Sequence, residues 1–386
     1  MPRPRRLLTF GHSYTVTLNR CLAKEMSRAG RGAWEVTAAA PVYFRGYNDL
    51  RPTRLSSTPQ ELCPPVPLPA YLTRLIHVFY YGRKLRALLQ EPWDLVHCWE
   101  EPYILAGAQA AFWLPPQTPL VYRTAQSLVK RYPWPFRQFE QYAMTRAAGW
   151  VCSGVQVDKA LGARPLYAAR PMRLIPLGVD TEVFRPDPAA RAVTRQELGW
   201  EEGGPPVIGF LGRLAAEKGL GLLTGVLDRL AEPWRALFVG AGPLERPLRA
   251  WAARHPGRAR VLTGVAHDQV PRHLAAMDVL CAPSQTTPQW REQFGRMLIE
   301  AFACGLAVVG SDSGEIPHVV GDAGLVVGEK DAAGWAGALA GLLADPARRA
   351  ELGRRGRERA RQCFAWPVVA RQHLDFFEIL LDCRAV

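Results

Sequence analysis

Short apolar runs and amphipathic stretches alternate along the first half of the chain. "RRLLTF" is followed by "LNRCLAKEMSRAG" and "WEVTAAA". Further on come "DLVHCW", "ILAGAQAAFWL", "PLVYRTA", a helical pattern over "FRQFEQYAMTRA", and "GWVCSG". Apolar runs of strand length separated by stretches of helical period predict strands joined by crossover helices, and hence a mostly parallel sheet. Between Tyr43 and about Ala70 the pattern breaks. Pro, Arg and Ser dominate there, and a long irregular loop is expected.

The segment "LGVDTEVFRPDPAARAVTRQELGWEEGGPP", punctuated by proline and glycine, separates the two halves. After it the alternation restarts with "VIGFLG", "RALFVGAG", "RVLTG", "VLCAPS", "AVVGS" and "GLVV", each followed by a helical pattern. The expectation is α/β: two domains, 1–178 and 179–365, the first completed by a last helix over about 366–386. The parallel sheets of the two domains are expected to face a central cleft, because ligands of such sheets bind beyond the carboxyl ends of the strands. No internal repeat is visible at solenoid periods.

Composition changes this picture little. The 386 residues are 48% hydrophobic and 22% charged, as in ordinary globular proteins. No apolar run reaches the length of a membrane span, and the apolar stretch of "MPRPRRLLTF" is too short for a secretory signal. The eight cysteines form no CxxC pair, which points to reduced thiols and a cytoplasmic protein rather than a disulfide frame or zinc site. A net charge of +13, mostly arginine, fits nucleotides, an anionic membrane surface or a solvated basic exterior. The arginine cluster "RRAELGRRGRERARQ" has no interleaved aromatics, so no nucleic-acid partner is expected.

Candidate chemistry concentrates in the second half. In "GFLGRLAAEKGL" a strand ends at Gly212, and Arg213 and Lys218 follow as a helix begins. Close backbone approach at glycine, free helical N–H groups and two cations together suit a diphosphate, although a surface turn has the same pattern. "GAGPLE" opens like a dinucleotide fingerprint but has Glu245 where the third glycine belongs, which argues against a dinucleotide. In "REQFGRMLIEAFACG" seven residues separate Glu292 from Glu300. A helix is expected from near Phe294, with the N–H groups of Phe294, Gly295 and Arg296 open at its terminus. Glu300 lies among Met, Leu, Ile and Phe. It either pairs with Arg296 one turn earlier or binds paired hydroxyls such as those of a ribose.

These residues resemble a family. The Glu-x7-Glu pair, "GRLAAEKG", "DVLCAPS", "IPLGVDTEVFRP" and "GEIPHVVGDAGLVV" are similar in order and spacing to the retaining GT-B glycosyltransferases of family 4 (group 1), over residues 175 to 327. The first half resembles them in its β/α layout and in "KRYPWPF" and "RRLLTFGHSYTV". The resemblance implies the GT-B fold, an acceptor-binding first domain and a donor-binding second domain. It implies that Glu300 holds the nucleotide ribose, and that Glu292 and the backbone of Phe294, Gly295 and Arg296 hold the donor sugar. Arg213 and Lys218, with Gly212, would hold the diphosphate, the base would lie near Gly264 and Val265, and Gly11 would approach the phosphates from the first domain. The implied reaction retains the anomeric configuration, the leaving phosphate oxygen helping to deprotonate the acceptor. No metal or other cofactor is implied, which agrees with the lack of an Asp-x-Asp pair. The histidine common after the fourth strand of the first domain is absent, with Gln126 in that stretch, and His318 replaces a glutamate. His12 or His97 would then serve the acceptor side.

The implied partners are a nucleoside diphosphate sugar, a saccharide or lipid-linked acceptor, and a peripheral anionic membrane contact through "YFRGYNDLRPTRL" on the inner face of the cell membrane. The competing readings are another GT-B enzyme, a phosphorylase or sugar-nucleotide epimerase, and a basic RNA- or lipid-binding protein on a degenerate scaffold. A bound cofactor's visible absorption would favour a phosphorylase. Steep salt-dependent retention on nucleic acid would favour the binding protein.

Overall fold

The computed structural model describes residues 3–45, 52–56, 61–201 and 203–385. The chain divides into two compact units, Met1–Pro176 with Trp366–Val386, and Leu177–Ala365.

Among the described residues the first unit carries a seven-stranded sheet. Its strands are β1 (Arg5–Phe10), β2 (Trp34–Pro41), β3 (Val66–Leu68), β4 (Leu95–Cys98), β5 (Leu120–Thr124), β6 (Ala147–Cys152) and β7 (Met172–Leu174). They are ordered β7-β6-β5-β4-β1-β2-β3, and every pairing is parallel. The order reverses between β1 and β4, so the loops after these two neighbours leave on opposite faces and open a crevice. Helix α1 (Thr17–Ala29) and the last helix (Trp366–Ala385) belong to this unit. Trp34 joins the last helix by an Nε1–H bond to Glu378 (3.0 Å) and a ring contact with Phe377.

The expected loop from Tyr43 to Ala70 is more structured than its composition implies. Tyr43–Phe44 and Thr53–Arg54 form a short antiparallel ribbon, and β3 joins the main sheet at its edge. The edge place explains Pro67: a residue without an N–H is tolerated where one side of the strand has no partner. Residues 46–51 of the basic–aromatic stretch lie outside the described residues.

The second unit carries six parallel strands among its described residues. They are β8 (Val207–Leu211), β9 (Arg235–Val239), β10 (Ala259–Leu262), β11 (Val279–Ala282), β12 (Ala307–Ser311) and β13 (Leu325–Val327). Their order is β10-β9-β8-β11-β12-β13, with the reversal between β8 and β11. Both faces are covered: Leu237 and Val239 face one apolar cluster, Ala236 and Phe238 the other. Such strands read as unbroken apolar runs because each face is buried. The segment that reads as a separator contributes helix α2 (Pro188–Glu197), opened by Pro188 and capped by Asp187 accepting from the Ala190 N–H. Arg191 and Arg195 of α2 grip the two carboxylate oxygens of Asp278, each at 2.6 Å, which ties α2 into this unit. Burial disfavours the Asp278 charge, but the two arginines outweigh it and hold the carboxyl below its usual range.

Candidate active site

In the second unit the loops after β8 and β11 meet at the strand-order reversal. After β8 the chain runs through Gly212 and Arg213 to a single turn at Ala216–Lys218 and helix α3 (Leu220–Leu227). Gly240, after β9, has φ 152°, and a Cβ there would stand 1.8 Å from the Gly212 carbonyl oxygen. Leu214 N–H donates to Ala241 O, and Leu244 N–H donates back to Leu214 O. The "GAG" of the partial fingerprint is therefore explained by two loops in backbone contact, which leaves no room for side chains.

The Lys218 ammonium donates to Glu292 Oε2 at 2.6 Å and lies 4.7 Å from the centre of the Trp290 ring. Ser284, just past β11, donates its hydroxyl to the same carboxylate oxygen at 2.8 Å. Both partners of the ion pair are largely buried. Arg213 pairs with Glu217 one turn along. Gly295 (φ 78°) takes a left-handed conformation that turns the chain into helix α4 (Arg296–Ala303). The helix thus begins at Arg296 rather than near Phe294, because a residue at positive φ cannot be its first turn. Phe294 is buried against the ring of Phe364.

Glu300, in the second turn of α4, is 4% exposed, and its Oε1 stands 3.2 Å from Nε2 of the half-exposed His267. The histidine is brought in by the turn after β10. Gly264 (φ 74°) and Val265 lie in that turn, and a cavity of about 480 Å³ adjoins them, walled also by Thr194, Glu197 and His273.

In the first unit the residues after β1, β4 and β5 cluster at the carboxyl ends of three neighbouring strands. Gly11 follows β1 so closely against the next strand's end that a Cβ would meet the Trp99 carbonyl oxygen at 2.7 Å. His12 donates its backbone N–H to Glu100 Oε1 (2.6 Å), and its Nδ1 stands 2.5 Å from Glu100 Oε2. The imidazole stacks on Phe44 and meets Phe79 edge-on. Tyr81 donates its hydroxyl to Glu100 Oε1 at 2.5 Å. Burial alone would lower the His12 pKa, but Glu100 and, beyond it, Glu101 outweigh this and raise it above the usual histidine value. Burial pushes the Glu101 carboxyl up to about 7, against hydrogen bonds from the Thr124 hydroxyl and Ala125 N–H.

Gln126 is buried, its amide on the hydroxyls of Tyr103 and Tyr132, whose rings stack 4.1 Å apart. His97 is placed elsewhere. It is fully buried in β4, with Nδ1 on the Thr9 hydroxyl and its ring against His373 and Phe377 of the last helix. Burial, with His373 and Arg123 nearby, pushes its pKa well below the usual range. Strand alternation is the reason: His97 points into the layer under the last helix, not out of the strand end.

Sequence reasoning missed Glu100, Glu101, Tyr81, Ser284, Trp290 and His267. For the first two a signal existed, since "HCWEEPY" sets two carboxylates directly after an apolar run. Tyr81, Trp290 and His267 become site residues only through contacts distant in sequence, and Ser284 through the fold of the loop after β11 back onto it.

Comparison with known proteins gives the family and the fold. Residues 205–345 match the family model for glycosyl transferases group 1. The chain is 35% identical over 218 residues to a GDP-mannose-dependent α-(1-6)-phosphatidylinositol monomannoside mannosyltransferase of Mycobacterium tuberculosis, covering 54% of this chain and 56% of that one. The chain thus spans little more than half the length of that relative. It is 31% identical over 279 residues to an α-maltose-1-phosphate synthase of Mycolicibacterium smegmatis, covering 66% and 71%. Among solved structures, sucrose-phosphate synthase from Thermosynechococcus elongatus aligns over 98% of this chain and all of its own (TM-score 0.72, 21% identity). The Anabaena protein HepE, solved with UDP-glucose, aligns over 97% and 99% (TM-score 0.72, 19% identity). At these identities the structures establish the GT-B fold and nothing finer.

Proposed function

The chain belongs to the group 1 glycosyltransferases, and from that premise we propose that it moves a hexose from a UDP- or GDP-sugar to a hydroxyl of a saccharide or lipid-linked acceptor. In this reading the anomeric configuration is retained and no metal takes part. The observation that carries it is the buried Lys218–Glu292 pair at the strand-order reversal of the second unit, with Ser284 on the same carboxylate.

Two opposite charges held together in a largely buried place are costly to assemble for stability alone. A donor uses both. The ammonium of Lys218 and the guanidinium of Arg213 meet the negative diphosphate, while the Glu292 carboxylate and the backbone of Phe294, Gly295 and Arg296 take the sugar hydroxyls. Gly212 lets the diphosphate approach the backbone. Glu300 receives the ribose hydroxyls with His267 orienting its other oxygen, and the base lies by Gly264 and Val265. As the sugar–phosphate bond breaks, charge builds on the leaving oxygen, and cations already in place stabilise it without reorganising. The sequence has no Asp-x-Asp pair to hold a metal on the diphosphate, so Arg213 and Lys218 carry that task.

Gln126, His12 and their neighbours serve the acceptor. No helix among the described residues is long and apolar enough to cross a membrane. Contact with a lipid-linked acceptor is peripheral in this reading. It is supported by Val129 (77% exposed) and Trp134 (79%), which share an exposed stretch with Lys130 and Arg131.

The test is thermal shift against UDP-, GDP- and ADP-sugars, with GDP-mannose first because relatives are named for it. A ligand at 100 times its Kd stabilises by about 2.7 kcal/mol, a readily measured rise in Tm. If no nucleotide or nucleotide sugar raises Tm, the reading is wrong.

A further inference from the structure

The cavity of about 480 Å³ beside the turn after β10 falls within the range of small-molecule sites, roughly 300–1,000 Å³. Its wall joins the end of α2 to the short helix Val270–Ala275. Leu198 and Val265 give it apolar surface that suits a flat ring, while Thr194, Glu197, Arg272 and His273 give it polar groups. Two of these carry atoms with nothing to bond. The Thr194 hydroxyl, on a residue 2% exposed, and Arg272 Nε are buried without a hydrogen-bond partner among the described residues. A packed interior pairs such groups, so unpaired ones in a cavity wall point to an occupant.

The turn that walls this cavity is also the one that brings His267 to Glu300. A base carried by a ribose on Glu300 therefore has this cavity beside it. What the cavity offers a base is an ordered row of partners. Arg272 Nη1 donates to both oxygens of Glu197, at 3.2 and 3.0 Å. The pair thus presents a donor followed by two acceptors. Guanine's edge has the complementary order: O6 accepts, and N1–H and the 2-amino group donate. Uracil's edge, with a carbonyl on each side of N3–H, sets an oxygen lone pair against the carboxylate. Adenine has a single amino donor beside the acceptor N1 and so fills one carboxylate oxygen. His273 adds to the bias: its Nδ1 donates to Gln269 O at 2.7 Å, which leaves Nε2 as a further acceptor.

Resting on the glycosyl-transfer reading, we propose that this cavity seats the base of the donor and selects guanine, with Glu197 accepting from N1–H and the 2-amino group and Arg272 donating to O6. Both residues decide which donor binds and take no part in bond breaking, and both lie in the second unit. The Glu197 and Arg272 side chains are 51% and 39% exposed, so their pairing with each other adds little to stability and is open to sharing with a ligand. For the same reason substitutions at Glu197 should leave the fold intact.

The experiment is calorimetric titration of GDP, UDP and ADP into wild type, Glu197→Gln, Glu197→Ala and Asp268→Asn, with each variant's unliganded Tm as the check of folding. Wild type should bind GDP about 10- to 100-fold more tightly than UDP or ADP, as expected of one bidentate base contact. Glu197→Gln turns the row into donor, acceptor, donor, which matches uracil. Its GDP affinity should fall to that of UDP or below, while its UDP affinity is kept or rises. Glu197→Ala should lose the GDP preference without that gain. A merely structural role for Glu197 would weaken all three nucleotides alike. Asp268, an exposed carboxylate in the single turn His267–Gln269, is the competing reader of guanine, and its variant should keep the preference. Wild type that prefers UDP or ADP, a GDP preference unchanged in Glu197→Gln, equal weakening of all three nucleotides there, or a preference lost in Asp268→Asn overturns the proposal and leaves glycosyl transfer standing. If none of the three nucleotides binds wild type, the transfer reading falls, and the proposal with it.

Discussion

At the scale of single residues, the two glutamates of the Glu-x7-Glu pair have different surroundings and different expected phenotypes. Glu300 sits in grease with His267 on one oxygen. Glu300→Gln keeps the shape and removes the charge, so nucleotide affinity should fall by about 10- to 100-fold, the worth of one charge-assisted hydrogen bond. Calorimetric titration of UDP and GDP measures this, and equal affinity in the mutant refutes the ribose assignment. Glu292 instead belongs to a charge pair. Lys218→Ala leaves it with the Ser284 hydroxyl, so the variant should fold. Its kcat should drop about 10²-fold or more, with a smaller rise in donor KM, because the lost interaction strengthens as the leaving group charges. Arg213→Lys should also be impaired, since a point charge lacks the planar fork. Transfer by wild type should continue in excess EDTA; loss on chelation with recovery on adding Mg²⁺ would show that a metal, not Lys218, neutralises the diphosphate.

At the scale of elements, the strand–turn–helix at Gly212–Lys218 was legible because its signals are local: an apolar run, a glycine, then a helical pattern. The start of α4 was displaced by two residues because the left-handed conformation of Gly295 is not distinguishable in sequence from a helical glycine. The last helix reveals a further property. His373 stands with Nδ1 on Val369 O and Nε2 on the Arg123 guanidinium, so Nδ1 carries the proton and Nε2 accepts. Burial, helped by Arg123, pushes its pKa to about 3 from an ordinary 6.5. Its folded pKa is depressed, so between these values the unfolded chain binds the extra proton. Stability is then full above pH 6.5 and falls as pH drops towards 3, by up to about 1.4 kcal/mol per pH unit for each such histidine. His97 acts in the same direction. Urea unfolding between pH 7 and 4 should show this slope, and His373→Leu should reduce it by about one proton. An unchanged slope would mean that His373 is protonated in the native state.

At the scale of the whole molecule, a net charge of +13 and the exposed Val129–Trp134 stretch bear on where the protein works. Co-sedimentation with vesicles containing anionic lipid is expected at low ionic strength and should weaken as salt shortens the Debye length to about 8 Å. Trp134→Ala should weaken it at every salt concentration. A chain that stays in the supernatant at low salt would remove the membrane from the proposal. The sequence by itself determined two doubly covered parallel sheets, because burial on both faces writes each strand as an apolar run between helical patterns. It also determined the donor-side candidates, whose residue types follow one another along single loops. Strand order was left to the tertiary structure, and with it every pairing that crosses the sheet. Lys218 meets Glu292 across 74 residues, and His12 meets Glu100 across 88. Neighbouring glutamates such as Glu100 and Glu101 look alike in sequence, yet one turns to His12 and Tyr81 and the other to Thr124. His97, a polar residue at a strand end, proved to be an interior one. The physical reason is that periodicity records only whether a side chain is buried, whereas its partners are set by which strands lie side by side.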